Sequence, residues 1–332
     1  MLEGSAHVGG HVTLIFSVHD DFEKLVDQGS RGAGFSLDTG IQIIACGISG
    51  SGKVSVDGYP SDITLHQLVI EEISIFDPDV KSFDWNLKQQ TRLPHSQGFG
   101  LSAAGAIASA LAIQRAMNIS EKIARAQSLH IAHRVERKLS GGLGDVAALY
   151  AGGVELRIEP GCPPLLQELG GGGAIVSWFS EIPVVVCWRK SASQHTSNYI
   201  DDGEWKLAIR AAGEAAISGL REGVWESVRW GELLDEAANF SKNSGLLDDS
   251  NRIDLLHQVG GAMISSGLVN SSLAARLCML GESVVILPND IKNTDFVNWQ
   301  SILVESLEQR GLGALAVNIS DDALNLQILS PN

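Results

Sequence analysis

Residues 94–105 read Pro94-His95-Ser96-Gln97-Gly98-Phe99-Gly100-Leu101-Ser102-Ala103-Ala104-Gly105, a glycine-rich loop running into an alanine-rich stretch. Glycines at 98 and 100 open backbone dihedrals closed to other residues and let a ligand approach the main chain. Ala106, Ala108, Ala110, Leu111, Ala112 and Ile113 continue toward Met117 as a strong helix former with small side chains. The start of such a helix offers unpaired N–H groups and the positive end of its dipole, so the pattern predicts an anion cradle opening a closely packed helix. A tight turn before a core helix would use the same residues, and a lone glycine-rich loop does not separate the two.

Upstream, Ile41-Gln42-Ile43-Ile44-Ala45-Cys46 is apolar except at Gln42 and reads as a buried strand. The next stretch, Gly47 to Val54, nearly spells a nucleotide-binding P-loop, but Val54 stands where a magnesium-binding Ser or Thr is required. Val54-Ser55-Val56-Asp57-Gly58 then alternates with period two, where a P-loop must open a helix; a hairpin turn is expected instead. Downstream, Ser120 is placed to cap a helix from Glu121 to about Leu139, stopped by Gly141-Gly142. Val154 to Ile158 alternates as a half-buried strand, with Glu155 and Arg157 opposite its apolar face.

Pro160-Gly161-Cys162-Pro163-Pro164 and Gly170-Gly171-Gly172-Gly173 punctuate the middle of the chain and suggest a domain boundary, giving halves 1–165 and 166–332. The second half reads as α+β: strands near 183–188, 283–287 and 314–319, helices within 203–265 and near 298–310.

The 332 residues are 44% hydrophobic, enough for about two domains with sizeable cores. With 24 Lys and Arg against 39 Asp and Glu the net charge is −15, and no basic cluster exists, which argues against nucleic acid as a partner. No apolar run approaches the roughly 18 residues of a membrane span, and no basic-then-apolar leader opens the chain, so a cytoplasmic location without membrane association is expected. Cys46, Cys162, Cys187 and Cys278 lie too far apart for a zinc or redox motif and read as reduced thiols.

A second constellation is Ala132-His133-Arg134-Val135-Glu136, followed by Gly141-Gly142-Leu143-Gly144-Asp145. His130, His133 and Glu136 are three apart and share a helix face next to a glycine loop carrying Asp145. In a kinase Glu136 would hold magnesium and Asp145 would accept a hydroxyl proton. In a structural reading Glu136 is a solvated helix residue and Asp145 caps the helix that follows. The spacing of His130, His133 and Glu136 matches no zinc motif.

These segments resemble the GHMP kinases, whose phosphate loop carries Pro, three residues, Gly, an apolar residue, Gly, then Ser and small residues; Leu101 replaces the first of the usual two serines. Within that superfamily the chain is similar to the archaeal pantoate kinases. The marks are Gly9-Gly10-His11-Val12-Thr13, Gly29-Ser30-Arg31-Gly32-Ala33-Gly34, the Ser102 loop, Ala132 to Glu136, Gly142-Leu143-Gly144-Asp145-Val146, Gly152 to Gly161 and Cys278-Met279-Leu280-Gly281. Gly9 stands where a proline is expected, which leaves the role of His11 open.

The resemblance implies an α+β two-domain fold, with a ribosomal-protein-like N-terminal ATP-binding domain and a ferredoxin-like C-terminal domain flanking a cleft. It implies ATP-dependent phosphorylation of the 4-hydroxyl of pantoate on the archaeal route to coenzyme A. Backbone groups of Gly98, Phe99, Gly100, Leu101, Ser102, Ala103 and Ala104 would hold the triphosphate. Ser102 and Glu136 would bind Mg2+, and Asp145 would position or deprotonate the hydroxyl. Ser30, His133, Arg157 and Thr196 would bind pantoate, Arg157 its carboxylate, with Arg31 as an auxiliary cation. Homoserine and mevalonate are alternative alcohols, and an inactive nucleotide-binding regulator is the alternative outside catalysis. A homodimer is compatible with the chain, which carries no interface signal.

Overall fold

A computed structural model describes residues 1–58, 63–190, 203–268, 272–292 and 298–321. Its spine is a pair of long antiparallel strands, β1 (Leu2–Phe16) and β2 (Gly32–Ser49). On the other edge of β2, Gly32–Phe35 pair with β5 (Val154–Glu159), and Ile41–Ser49 pair with β4 (Phe83–Thr91). β3 (Val54–Asp57) lies outside β4, and β6 (Ala174–Trp178) outside β5, giving a six-stranded sheet. The near-P-loop stretch ends in a turn and a strand, as its alternation requires. The expected hairpin is corrected: β4 inserts between β2 and β3, and β3 runs parallel to β4. Asp84 holds the turn by accepting from the N–H groups of Ser51 and Lys53, which ties it to β4 and not back to β2.

Helices α1 (Thr64–Phe76), α2 (Leu101–Ala116) and α3 (Glu121–Lys138) pack together beside the sheet, α2 against β1 and β2. Every α2 residue is buried except Ser102 and Arg115, which is why its sequence is apolar on all sides. The short helix α4 (Asp145–Ala151) follows α3. Ser120 occupies the α3 N-cap position but makes no side-chain cap bond; Glu121 in the first turn instead pairs with Arg115 and Arg125.

Beyond it come β7 (Pro183–Trp188), α5 (Gly203–Leu220), α6 (Trp230–Asn243), α7 (Ser250–Ser265), β8 (Leu273–Leu277), β9 (Ser283–Pro288), α8 (Trp299–Glu308) and β10 (Gly313–Asn318). Their antiparallel sheet has the order β10-β7-β9-β8, the ferredoxin-like arrangement in which the last strand lies beside the first. The division expected at 165/166 falls before the last strand of the first sheet, because β6 (Ala174–Trp178) is hydrogen-bonded along β5. The glycines at 170–173 form a connector folded back on Cys162, whose carbonyl accepts from the N–H groups of Gly171 and Gly173. One apolar core runs from Val12, Leu14 and Phe35 of the first sheet into Val184–Val186 and Val284–Leu287 of the second, so the halves are fused. Among the described residues no helix is long and apolar enough to cross a membrane.

Candidate active site

The loop 94–100 crosses from β4 to α2 with Gly98 at φ 76° and Gly100, the α2 N-cap, at φ 61°. Both are left-handed values that glycine adopts without steric cost. The loop is fixed on both sides: the Phe99 carbonyl accepts from the His11 N–H at 2.9 Å, and the Gln97 carbonyl from the Ser283 hydroxyl of β9. The Phe99 ring is buried edge-on against Trp188, so this residue packs while its backbone shapes the loop. Leu101, Ala103 and Ala104 are buried, leaving Ser102 as the exposed side chain at the start of α2.

Ser102 meets α3 there. Its hydroxyl donates to Glu136 Oε1 at 2.5 Å, and burial, reinforced by the Asp145 charge, pushes the Glu136 carboxyl up to about 7. Glu136 sits in the last turn of α3 because the apolar stripe Ile131, Val135 turns inward and carries it along. Asp145 opens α4, with 27% of its side chain exposed. Burial alone would raise its pKa, but a 2.8 Å hydrogen bond from His11 Nδ1 and the charges of His11 and Arg157 outweigh that and hold it below the usual carboxylate range. Thr13 donates to the same Asp145 oxygen at 3.3 Å.

Ser102, Glu136 and Asp145 line one cavity of about 490 Å³. Its walls also include Ser30, Arg157, Thr64, His66, Gln89, His95 and the glycine loop. Arg157 is almost sealed, 1% exposed, with Nη1 donating to Glu155 Oε1 at 2.5 Å and Nε without a partner. The chain thus brings together Ser30, the loop, Ser102, Glu136, Asp145 and Arg157.

Two expected substrate contacts lie elsewhere. His133 is buried and donates from Nε2 toward the backbone carbonyls of Leu25 and Gln28; burial lowers its pKa to about 4, so it is neutral. It braces the turn leading to Ser30 and does not line the cavity. Arg31 is held by Glu159 at 2.7 Å and Glu214 at 3.1 Å, facing α5 and not the cavity. Thr196 lies outside the described residues. His130 accepts from the Gly170 N–H, so His130, His133 and Glu136 serve three separate places and form no metal site.

Glu155 and His11 carry no motif that assigns them a role from sequence, yet both stand behind the cavity wall. Period-two alternation puts Glu155 on the face of a half-buried strand opposite its apolar residues, whereas both faces of β5 are covered. The available signal was the Glu155/Arg157 pair itself, opposite charges on one face of a strand with two glycines, Gly32 and Gly34, in the paired positions of β2.

The fold likenesses are broad. A solved structure described as a phosphotransferase related to the CoA biosynthesis pathway matches with a TM-score of 0.71 over 96% of both chains at 24% identity. A homoserine kinase from Cytophaga hutchinsonii matches with a TM-score of 0.59 over 96% of this chain and 95% of its own, at 12% identity. The profile of the GHMP kinases N terminal domain matches residues 66–153. Fold, glycine loop and profile together define the class, the GHMP kinases. The pantoate kinase of Thermococcus kodakarensis is 30% identical over 73% of this chain and 76% of its own, and that of Methanocaldococcus jannaschii is 25% identical over 72% and 80%. The chain belongs to the pantoate kinase family.

Proposed function

We propose that this kinase transfers the terminal phosphoryl group of ATP to the 4-hydroxyl of pantoate. The observation that carries the reading is the single cavity in which the α2 N-terminus, the Ser102–Glu136 pair, Asp145 and Arg157 meet. Backbone N–H groups of 98–104 and the positive end of α2 receive the triphosphate.

A hydroxyl and a carboxylate 2.5 Å apart are hard oxygen donors suited to Mg2+, which is held by one or two protein ligands plus phosphate oxygens and water. Among the described residues no cluster of three His, Cys, Asp or Glu could hold a metal alone, consistent with a site that substrate phosphates complete. When bound, Mg2+ neutralises charge on the phosphates.

Ser30 and Arg157 take the pantoate carboxylate, the guanidinium offering more than one donor. Asp145, ionised at neutral pH, orients the 4-hydroxyl and accepts its proton as the oxygen bonds to phosphorus and ADP departs. Most of the rate enhancement is alignment and charge complementarity. The test is ADP release with ATP and Mg2+ in the presence of pantoate, homoserine or mevalonate. Selective turnover of pantoate is expected; preference for another alcohol, or none turned over despite ATP binding, overturns the assignment.

A further inference from the structure

Glu155 is fully buried, yet its proposed neighbours in catalysis reach it from two sides. Its Oε1 accepts from Arg157 Nη1 at 2.5 Å and from His11 Nε2 at 3.0 Å, while Oε2 has no partner. The other His11 nitrogen lies 2.8 Å from Asp145 Oδ1. The result is an unbroken chain, Arg157–Glu155–His11–Asp145, that alternates cation and anion. Both imidazole nitrogens face carboxylate oxygens, which only accept, so each must carry a proton and the ring is an imidazolium. Backbone placement makes room for it: a Cβ at Gly34 would lie 2.9 Å from His11 Nε2, and one at Gly32 would lie 2.2 Å from Arg157 Nη2.

We propose that Glu155 is a positioning residue which, through its one shared oxygen, sets the substrate-binding guanidinium and, by way of His11, the reacting carboxylate of Asp145 as a single unit. The inference rests on the pantoate kinase reading above. The groups facing His11 are Asp145 from α4, Glu155 from β5 and Thr13 from its own strand; Arg157 of β5 bonds Glu155 and its charge acts on Asp145, whose own charge acts on Glu136 of α3. The two carboxylates raise the His11 pKa against the opposing effect of burial.

Glu155→Gln keeps the shape and removes the charge. In substrate-free protein, the His11 imidazole followed by NMR is expected to lose its proton at least about one pH unit lower than in wild type, a tenfold change in its equilibrium. The alkaline limb of kcat should move the same way. The KM for pantoate should rise about 10- to 100-fold, as for loss of a charged hydrogen bond, while that for ATP stays within about twofold. Glu155→Asp should restore part of both. Unchanged His11 titration, or equal rises in the two KM values with an unshifted profile, would overturn the proposal. Should Glu155→Gln not fold, His11→Gln decides: the acid limb must move to higher pH, and an acid limb at the wild-type position refutes the coupling. The NMR titration needs no substrate, so it stands or falls separately from the choice of alcohol.

Discussion

Gly144→Ala tests the site by steric means alone. Gly144 has φ −133° and ψ −16°, outside the left-handed region that favours glycine, so the dihedrals do not by themselves require a glycine. The added Cβ would lie 2.3 Å from Ser30 Oγ, 2.7 Å from Arg157 Nε and 3.0 Å from Arg157 Cζ. Ser30 escapes by rotating its hydroxyl. Arg157 does not, because Glu155 grips Nη1 and Gly32 leaves no slack behind Nη2. The 2.7 Å contact is about 0.8 Å inside the ~3.5 Å at which such atoms attract, so the glycine loop, and Asp145 next to it, must shift by several tenths of an ångström. Overpacking of this kind costs about 1–3 kcal/mol, and displacing a reacting group by about 1 Å costs on the order of a hundredfold in rate. The expected result in the ADP-release assay is a fall of about 30- to 100-fold in kcat/KM for pantoate with little change in the KM for ATP. Gly260→Ala in α7 is the control, since its Cβ meets nothing within 4 Å. Near-wild-type turnover by Gly144→Ala, or equal losses in both variants, would refute the argument that this loop is fitted onto Arg157.

Asp145→Asn should reduce kcat by about 10²- to 10⁴-fold, the range for a lost proton acceptor, with circular dichroism unchanged; rates near wild type would remove Asp145 from the reaction. Arg157→Lys keeps a cation for Glu155 but loses the fork, and should raise the KM for pantoate about tenfold or more while sparing ATP, as steady-state kinetics will read. Glu72 is buried between Arg134 at 2.7 Å and Lys138 at 2.6 Å; burial would raise its pKa, but the two cations outweigh it and lower the native value below 4.5. Its contribution is therefore complete above pH 4.5, where the unfolded side chain is also ionised, and disappears as pH falls through the native value. Glu72→Gln should cost about 1–3 kcal/mol in urea melts at pH 7 and flatten the acid decline; an unchanged decline refutes the assignment.

The loop and helix 94–116 were legible because glycine, alanine and the absence of charge leave few other conformations. The β7, β9 and β10 strands showed through their apolar runs in the same way. β8 did not, since Leu273–Leu277 includes Arg276, whose guanidinium finds the Leu234 carbonyl across the layer. The β3–β4 pairing was hidden because strand order is a long-range property that four residues of alternation cannot encode. Glu136 and Asp145 could be named from spacing next to glycines. His133 could not be placed by the same logic: helical periodicity gives its face, but the carbonyls of Leu25 and Gln28 that claim its ring come from a distant turn. The buried charge pair of β5 was hidden for a related reason, as alternation separates two faces without telling which one meets water.

The glycine loop 94–100 leans on the second half of the chain. A side chain at Gly98 would strike the Met279 carbonyl at 2.7 Å, the Met279 N–H bonds Thr13 of β1, and Gly281 presses on Gln97. The segment Cys278–Gly281 is thus a mould for the glycine loop, supplied from more than 170 residues downstream of the residues it shapes. Neither half carries the finished cavity by itself, and exchanging C-terminal halves between relatives would transplant part of its wall together with whatever else the graft brings.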